Sequence, residues 1–338
     1  MTMRFLPAAA SATTGILVGS AMVATRFVVD QTGPASLALL RYAIGFCCLL
    51  PVVLLSAERT RFARRDLLPI ALLGITQFGI LIAVLNYGLR YIPSGRAALI
   101  FATFPLLTMV LAAALGHERL TLPKILGVLL TIAGVGLALG EKAIQGGGAH
   151  AWTGELAVFA SAVCGAVCSV LYRPYLLTYP ALPVSAFAML ASVGFLSFLA
   201  AGEGFFSSVP HFTRGGWLAV IFIGLNSGVG YFLWLWALGH APATQVTVFL
   251  ALSPITAAWL GALLLAETIS TLSVLGLVLV ALGLWLAQAA DKGPSASLAS
   301  LRHPSTYRAS GCRGARRLAA GPSSTACTIR RRLAAEPS

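Results

Sequence analysis

The chain has 338 residues, of which 58% are hydrophobic and only 10% charged, against about 25% charged in an ordinary soluble domain, so a water-soluble globular protein is excluded. The formal net charge of +13 is not a nucleic-acid signal. Nine of the 23 basic residues lie beyond residue 290, and no basic stripe interleaved with aromatics runs through a foldable segment.

A spanning helix needs roughly 18 or more consecutive apolar residues, and ten such runs follow one another along the chain. The first, 6–28, is too long for the apolar core of a secretion signal and leads straight into further spans, so it is expected to be a retained helix. The second, 34–55, begins in "GPASLALLRYAIGF" and carries Arg41, about 10 Å from its start by helical rise. The third, 67–89, holds Gln77 at its middle, and the fourth, 94–116, has Arg96 just inside and Pro105 at its centre. "GHERLTLPKILG" (116–127) leads into the fifth, 122–140, and the segment 141–153 connects to the sixth, 154–177. There Cys164 and Cys168 share a helical face; no His or carboxylate joins them, so packing by small residues is favoured over a metal or redox pair. The seventh run is 183–202. The eighth, 216–238, carries Asn226, Trp234 and Trp236; the ninth, 242–265, carries Gln245 and Pro254; the tenth is 270–290. After Ala290 the composition turns to Ser, Pro, Gly, Ala and Arg, which cannot bury enough surface to offset ordering entropy, so a disordered basic tail is expected over 291–338. Contact with anionic lipid is the alternative to an incidental tail.

The loops sort by charge. "AERTRFARRD" (57–66) carries four arginines and marks the cytoplasmic side, which places both termini in the cytoplasm. On this count 17 basic residues lie on the cytoplasmic side and five on the other, with Arg41 left inside the membrane.

Adding 149 to positions in the first half lands on matching residues without a gap. Pro93 meets Pro242, Pro105 meets Pro254, Glu118 meets Glu267, Gly127 meets Gly276 and Gly134 meets Gly283. Constant-offset similarity signals a duplicated unit. Each unit holds five spans, and an odd number inserts the second copy upside down, as many secondary transporters do around a midplane site. The expected fold is therefore an all-α polytopic membrane protein: ten transmembrane helices as two inverted five-helix repeats, residues 1–140 and 154–290, moving as two rocking halves. Glu118 and Glu267 sit in the turn before a Thr or Ser that can cap the next helix, an architectural role. Gly127, Gly134, Gly136, Gly276 and Gly283 are expected to let the fifth helix of each copy pack closely on a neighbour.

Ten spans in two halves, an Arg in helix 2 after a Pro, a Pro inside helices 4 and 9, and an "E-x-[LI]-[ST]" turn followed by "LG" resemble the EamA-type transporters of the drug/metabolite transporter superfamily, over residues 10–288. The resemblance implies a bacterial inner-membrane carrier, often an exporter of amino acids or similar metabolites, with a cavity lined by helices 1, 3, 4, 6, 8 and 9. The second half departs from this pattern, since the counterpart of Arg41 falls near Leu190.

Polar side chains at membrane depth are costly, so each is a candidate for function. Gln77 and Asn226, 149 apart, suit a cavity for a polar solute, or a hydrogen bond between helices. Trp234 suits the cavity wall or an interfacial belt. Arg41 suits a substrate carboxylate, or pairing with Asp30, Glu155 or helix-end carbonyls. Arg96 and its counterpart Gln245 suit the two mouths of a pathway, or a snorkelling anchor for Arg96. Pro105 and Pro254 each remove a backbone hydrogen bond and suit flexing helices. An acid placed for proton coupling is poorly marked, with only Glu155 near a span. No metal or cofactor site is expected. The partners expected are the bilayer and a small-molecule substrate, with no nucleic acid, and the oligomeric state stays open, a monomer included. No span contains HExxH, GxSxG or GxxxxGK[ST], so an enzyme or ATP-driven pump is disfavoured. A secondary transporter is expected, with a channel-like or structural membrane protein as the alternative.

Overall fold

The computed structural model describes residues 5–55, 62–116, 121–145, 151–207, 211–267 and 271–289. The tail over 291–338 and Glu118 lie outside the described residues. Every regular element among the described residues is helical. In chain order these are α1 (Phe5–Val28), α2 (Pro34–Leu55), α3 (Arg64–Tyr91), α4 (Ser94–Ala114), α5 (Leu122–Gln145), α6 (Ala151–Leu176), α7 (Ala181–Gly202), α8 (Arg214–His240), α9 (Ala243–Leu265) and α10 (Thr271–Ala289). Eight of them, all but α5 and α10, are long and apolar enough to cross a membrane. Large apolar side chains face outward along them, Leu55 at 86% and Phe198 at 77% exposure among the clearest. Helices apolar on every side are stable only when lipid covers the outer face. The chain is a multi-pass membrane protein.

The apolar runs set the helices, and polar residues extend them. α3 begins at Arg64 and α5 continues to Gln145, beyond their apolar stretches.

Helices of the first half of the sequence pack mainly on helices of the second. α1 lies on α8 and α9, α2 on α7 and α8, and α6 on α3 and α4. Glycines permit this closeness. A Cβ placed on Gly19 of α1 would come within 2.5 Å of the Ser253 carbonyl oxygen of α9, and one on Gly88 of α3 within 2.8 Å of the Gly154 oxygen of α6. Without a hydrophobic drive between helices in lipid, such backbone proximity is a principal source of cohesion. The two halves are interleaved, each packing mainly on helices of the other.

α5 and α10 pack against each other along their length. A Cβ on Gly134 would lie 2.6 Å from the Gly276 oxygen, and one on Gly283 would lie 2.5 Å from the Gly127 oxygen. One index rises as the other falls, so the pair runs antiparallel. Gly136 takes no part and faces open space.

Two long helices are broken in the middle. α4 divides into Ser94–Phe101 and Phe104–Ala114, with Pro105 just past the break. α9 divides into Ala243–Val248, a 3-10 turn at Phe249–Ala251, and Leu252–Leu265, with Pro254 just past it. A proline supplies no N–H to the carbonyl four residues earlier and its ring crowds that carbonyl, so the ladder resets there. α3 stays continuous but winds wider over Ile75–Ile80, a π-turn that contains Gln77.

One end of the bundle is tied by polar contacts. The Glu203 carboxylate, after α7, accepts from the backbone N–H groups of Ala35 (3.0 Å) and Ser36 (2.8 Å) and from the Ser36 hydroxyl (2.6 Å) at the start of α2. The Glu267 carboxylate, after α9, accepts from Ser94 N (3.0 Å) and Ser94 Oγ (2.7 Å) at the start of α4. Each carboxylate meets unsatisfied N–H groups at the positive end of a helix dipole. Glu267 therefore serves a helix of the other half rather than the helix that follows it in sequence. On the same end Arg90 donates to the carbonyls of Thr32 (2.6 Å) and Val29 (3.3 Å), closing the C-terminal side of α1. At the other end Tyr179 donates to Asp66 (2.6 Å), joining the α6–α7 turn to α3.

Candidate functional site

A narrow cleft, partly open to solvent, lies between α1, α2, α3, α4, α8 and α9. Its wall is largely apolar and aromatic: Met22 from α1, Leu81 and Leu85 from α3, Phe101 and Phe104 from α4, and Trp234 from α8 are representative. Both broken helices reach it at their breaks, α4 through Phe101 and Phe104 and α9 through Leu250. Phe104 meets Trp234 edge-on, with ring centroids 5.9 Å apart. Tyr231 also lines the cleft and packs edge-on with Phe78 behind it at 4.7 Å. Relative to the six lining helices implied by the family resemblance, α2 is added and no α6 residue contributes.

Few polar groups line this space. Arg41 on α2 is 6% exposed, and its Nε donates to Ser227 Oγ at 2.5 Å. Ser227 in turn donates to the Ile223 carbonyl at 2.7 Å, so its hydroxyl hydrogen is used and its lone pair turns to the guanidinium. The two Nη groups have no acceptor among the described residues. Gln77 is 3% exposed, and its Oε1 is buried without a donor; Thr25 Oγ1, 1% exposed, is likewise unpaired. Buried polar atoms of this kind are rare and need a reason. The π-turn explains how Gln77 comes to sit there: one extra residue in the turn shifts the face that α3 presents, a feature frequent at functional sites.

No carboxylate among the described residues pairs with Arg41. Asp30 pairs with Arg26 at 3.3 Å, and Glu155 forms an ion pair with Arg96. Asp66 is held by Tyr179, and Glu203 and Glu267 cap α2 and α4. The pairing of Arg41 with Asp30 or Glu155 weighed from the sequence is thus replaced by a neutral serine contact. Arg96, weighed as a mouth residue or an anchor, ties α4 to α6.

The other sequence-derived candidates divide. Trp234, 3% exposed, belongs to the wall of the cleft. Trp236 instead stacks on His240 at 4.2 Å, one turn from the end of α8. Asn226 donates from Nδ2 to the Leu17 carbonyl (2.9 Å) and Ser20 Oγ (3.3 Å), a tie between α8 and α1 outside the lining of the cleft. Gln245 is exposed in the first turn of α9. Pro105 and Pro254 stand at the two breaks. Thr25, Phe104 and Tyr231 were not anticipated; a threonine or an aromatic in an apolar run carries no local mark of facing a cavity.

The EamA-like transporter family model matches residues 7–140 and again 152–288. The chain belongs to the EamA-like transporter family. An "Uncharacterized transporter" of Archaeoglobus fulgidus is 29% identical over 276 residues, covering 79% of this chain and 93% of its own. A "Probable terminal-alkyne amino-acid exporter" of Streptantibioticus cattleyicolor is 32% identical over 250 residues, covering 72% of this chain and 81% of its own. A solved crystal structure matches with a TM-score of 0.64 at 22% identity, over 83% of this chain and 96% of its own, a likeness of fold. The EamA-like assignment makes the chain a membrane transporter of the drug/metabolite type.

Proposed function

We propose that this EamA-like transporter is a secondary carrier that exports amino acids or related small metabolites across the bacterial inner membrane by alternating access, with both termini in the cytoplasm. The observation that carries the reading is the pair of helix breaks at register-related places along one cleft. Phe101 and Leu250, 149 positions apart, both lie at a break and both line the cleft. Discontinuous helices form the central site of many inverted-repeat carriers. Support for the inversion comes from α5 and α10. Gly127 and Gly134 correspond by the 149-residue offset to Gly276 and Gly283, and the contacts run crosswise, Gly134 to Gly276 and Gly127 to Gly283. Crosswise exchange is what a two-fold axis between two copies produces. Ten spans follow if α5 and α10 also cross. The relative named for amino-acid export favours an amino-acid-like solute.

The test is counterflow in liposomes reconstituted with the full chain. A carrier preloaded with unlabelled solute transiently accumulates labelled solute, with saturable dependence; a channel only equilibrates it. Accumulation of a labelled amino acid supports the proposal. Flux that never saturates and shows no counterflow removes alternating access.

A further inference from the structure

The carrier reading leaves the recognised chemical group open, and the following rests on that reading. We infer that the cleft selects its solute by a carboxylate held on Arg41, beside an apolar body packed among the aromatics, and that an α-ammonium is not required. Arg41 lines the cleft almost wholly buried, with one nitrogen bound to a neutral serine and no carboxylate to neutralise it. A buried charge without a counterion is among the costliest arrangements a membrane bundle can hold. Anchoring by Ser227 fixes the plane of the guanidinium and leaves both Nη groups for an incoming acceptor, and a planar fork matches a carboxylate bidentately.

The rest of the lining narrows the class. No Asp or Glu is among the lining residues, so nothing there calls for a cation. Gln77 Oε1 is a buried acceptor awaiting one donor, which an amino or a hydroxyl group next to the carboxylate supplies equally. Phe101, Phe104, Tyr231 and Trp234 surround the remaining space with apolar and aromatic surface. One cation balances one negative charge, and the lining offers no second cation for a dianion. The solutes that fit are monocarboxylates with an apolar side chain and an α-amino or α-hydroxyl donor.

The experiment measures displacement of radiolabelled L-phenylalanine from the purified full-length protein by L-phenyllactate, L-phenylalaninamide and phenyl phosphate. Phenyllactate is expected to compete within a few-fold of phenylalanine. The amide, which has lost the carboxylate, and phenyl phosphate, a dianion, are expected to compete roughly tenfold or more weakly. Arg41→Gln is expected to abolish the preference for acid over amide. Because that variant removes a buried contact, Arg41→Lys is run beside it, with monodisperse elution of both as the check on folding; retained charge without the fork is expected to bind between wild type and Arg41→Gln. Equal competition by the amide, tighter binding of phenyl phosphate, a preference that survives Arg41→Gln, or no binding of phenylalanine each overturns the inference. Counterflow of another solute would persist in those cases, so failure here is distinct from failure of the carrier reading.

Discussion

Glu267 closes the end of α9 onto the beginning of α4: both of its carboxylate oxygens are occupied by Ser94, a residue 173 positions earlier. Gly261 makes room for the contact, since a Cβ there would stand 2.6 Å from Glu267 Oε2 and 2.8 Å from Ser94 Oγ. Glu267→Gln keeps the shape and removes the charge facing the helix dipole. It is expected to cost about 1 kcal/mol, read as a lower thermal midpoint of the detergent-purified protein. Glu203→Gln is expected to do the same at α2, and the two losses to add, because they share no partner. An unchanged midpoint in both variants removes the capping role.

Ala266, directly before Glu267, has φ +52° and ψ +32°, the left-handed region. This turn aims Glu267 back across the bundle, and a Cβ makes it costly. Ala266→Gly is expected to raise stability by about 0.5–1 kcal/mol, seen as a higher thermal midpoint with solute binding unchanged. A lower midpoint would show that the turn is not strained.

The two amides that the repeat relates are expected to fail differently. Gln77→Leu removes the unpaired acceptor from the cleft and is expected to weaken solute binding while the protein keeps its thermal midpoint. Asn226→Leu strips a hydrogen bond from the Leu17 carbonyl and is expected to lower stability by about 1 kcal/mol, with a smaller effect on binding. Binding isotherms and melting curves on both variants check this, and the reverse pattern exchanges their roles.

Gly134→Leu puts a branched side chain on a position whose Cβ would already stand 2.6 Å from the Gly276 carbonyl oxygen of the facing helix. Overpacking of this kind is expected to cost about 1–3 kcal/mol. Gly136→Leu, on the open face of α5, is expected to be nearly neutral. Equal effects would mean that α5 and α10 do not meet through these glycines.

Inversion of the two copies predicts opposite exposure of equivalent positions. In a cysteine-free background, cysteines introduced at 118 and 267 are expected to react with an impermeant maleimide from the cytoplasmic and external sides respectively. Reaction from one side only would end the inverted arrangement.

The helices were legible because a lipid-facing rod must be apolar along its length, and that leaves its mark on every stretch of sequence. Pro105 and Pro254 were legible as breaks because a missing N–H acts locally. Arg41 stood out as a lone charge. Its surroundings did not, because whether Asp30 or Glu155 reaches it is decided by where α1 and α6 lie, and each acid meets a different arginine. Glu203 gave no signal: its partners are 167 and 168 residues away, and helix capping is usually sought in adjacent sequence. Gln77 and Asn226 look equivalent in register, yet the π-turn over Ile75–Ile80 rotates one into the cleft while Asn226 lies against α1. No residue preference in "ITQFGI" announces such a turn.

The interleaving of the helices has a consequence for biosynthesis. α1 leaves the ribosome some two hundred residues ahead of the α9 residues that fill the notch at Gly15 and Gly19. Until they arrive, the nascent chain holds that notch open beside the insertion machinery, and no finished half exists to fold ahead of the other. Chain termination before α8 therefore leaves the quality-control proteases an N-terminal helix without its main packing partners to recognise.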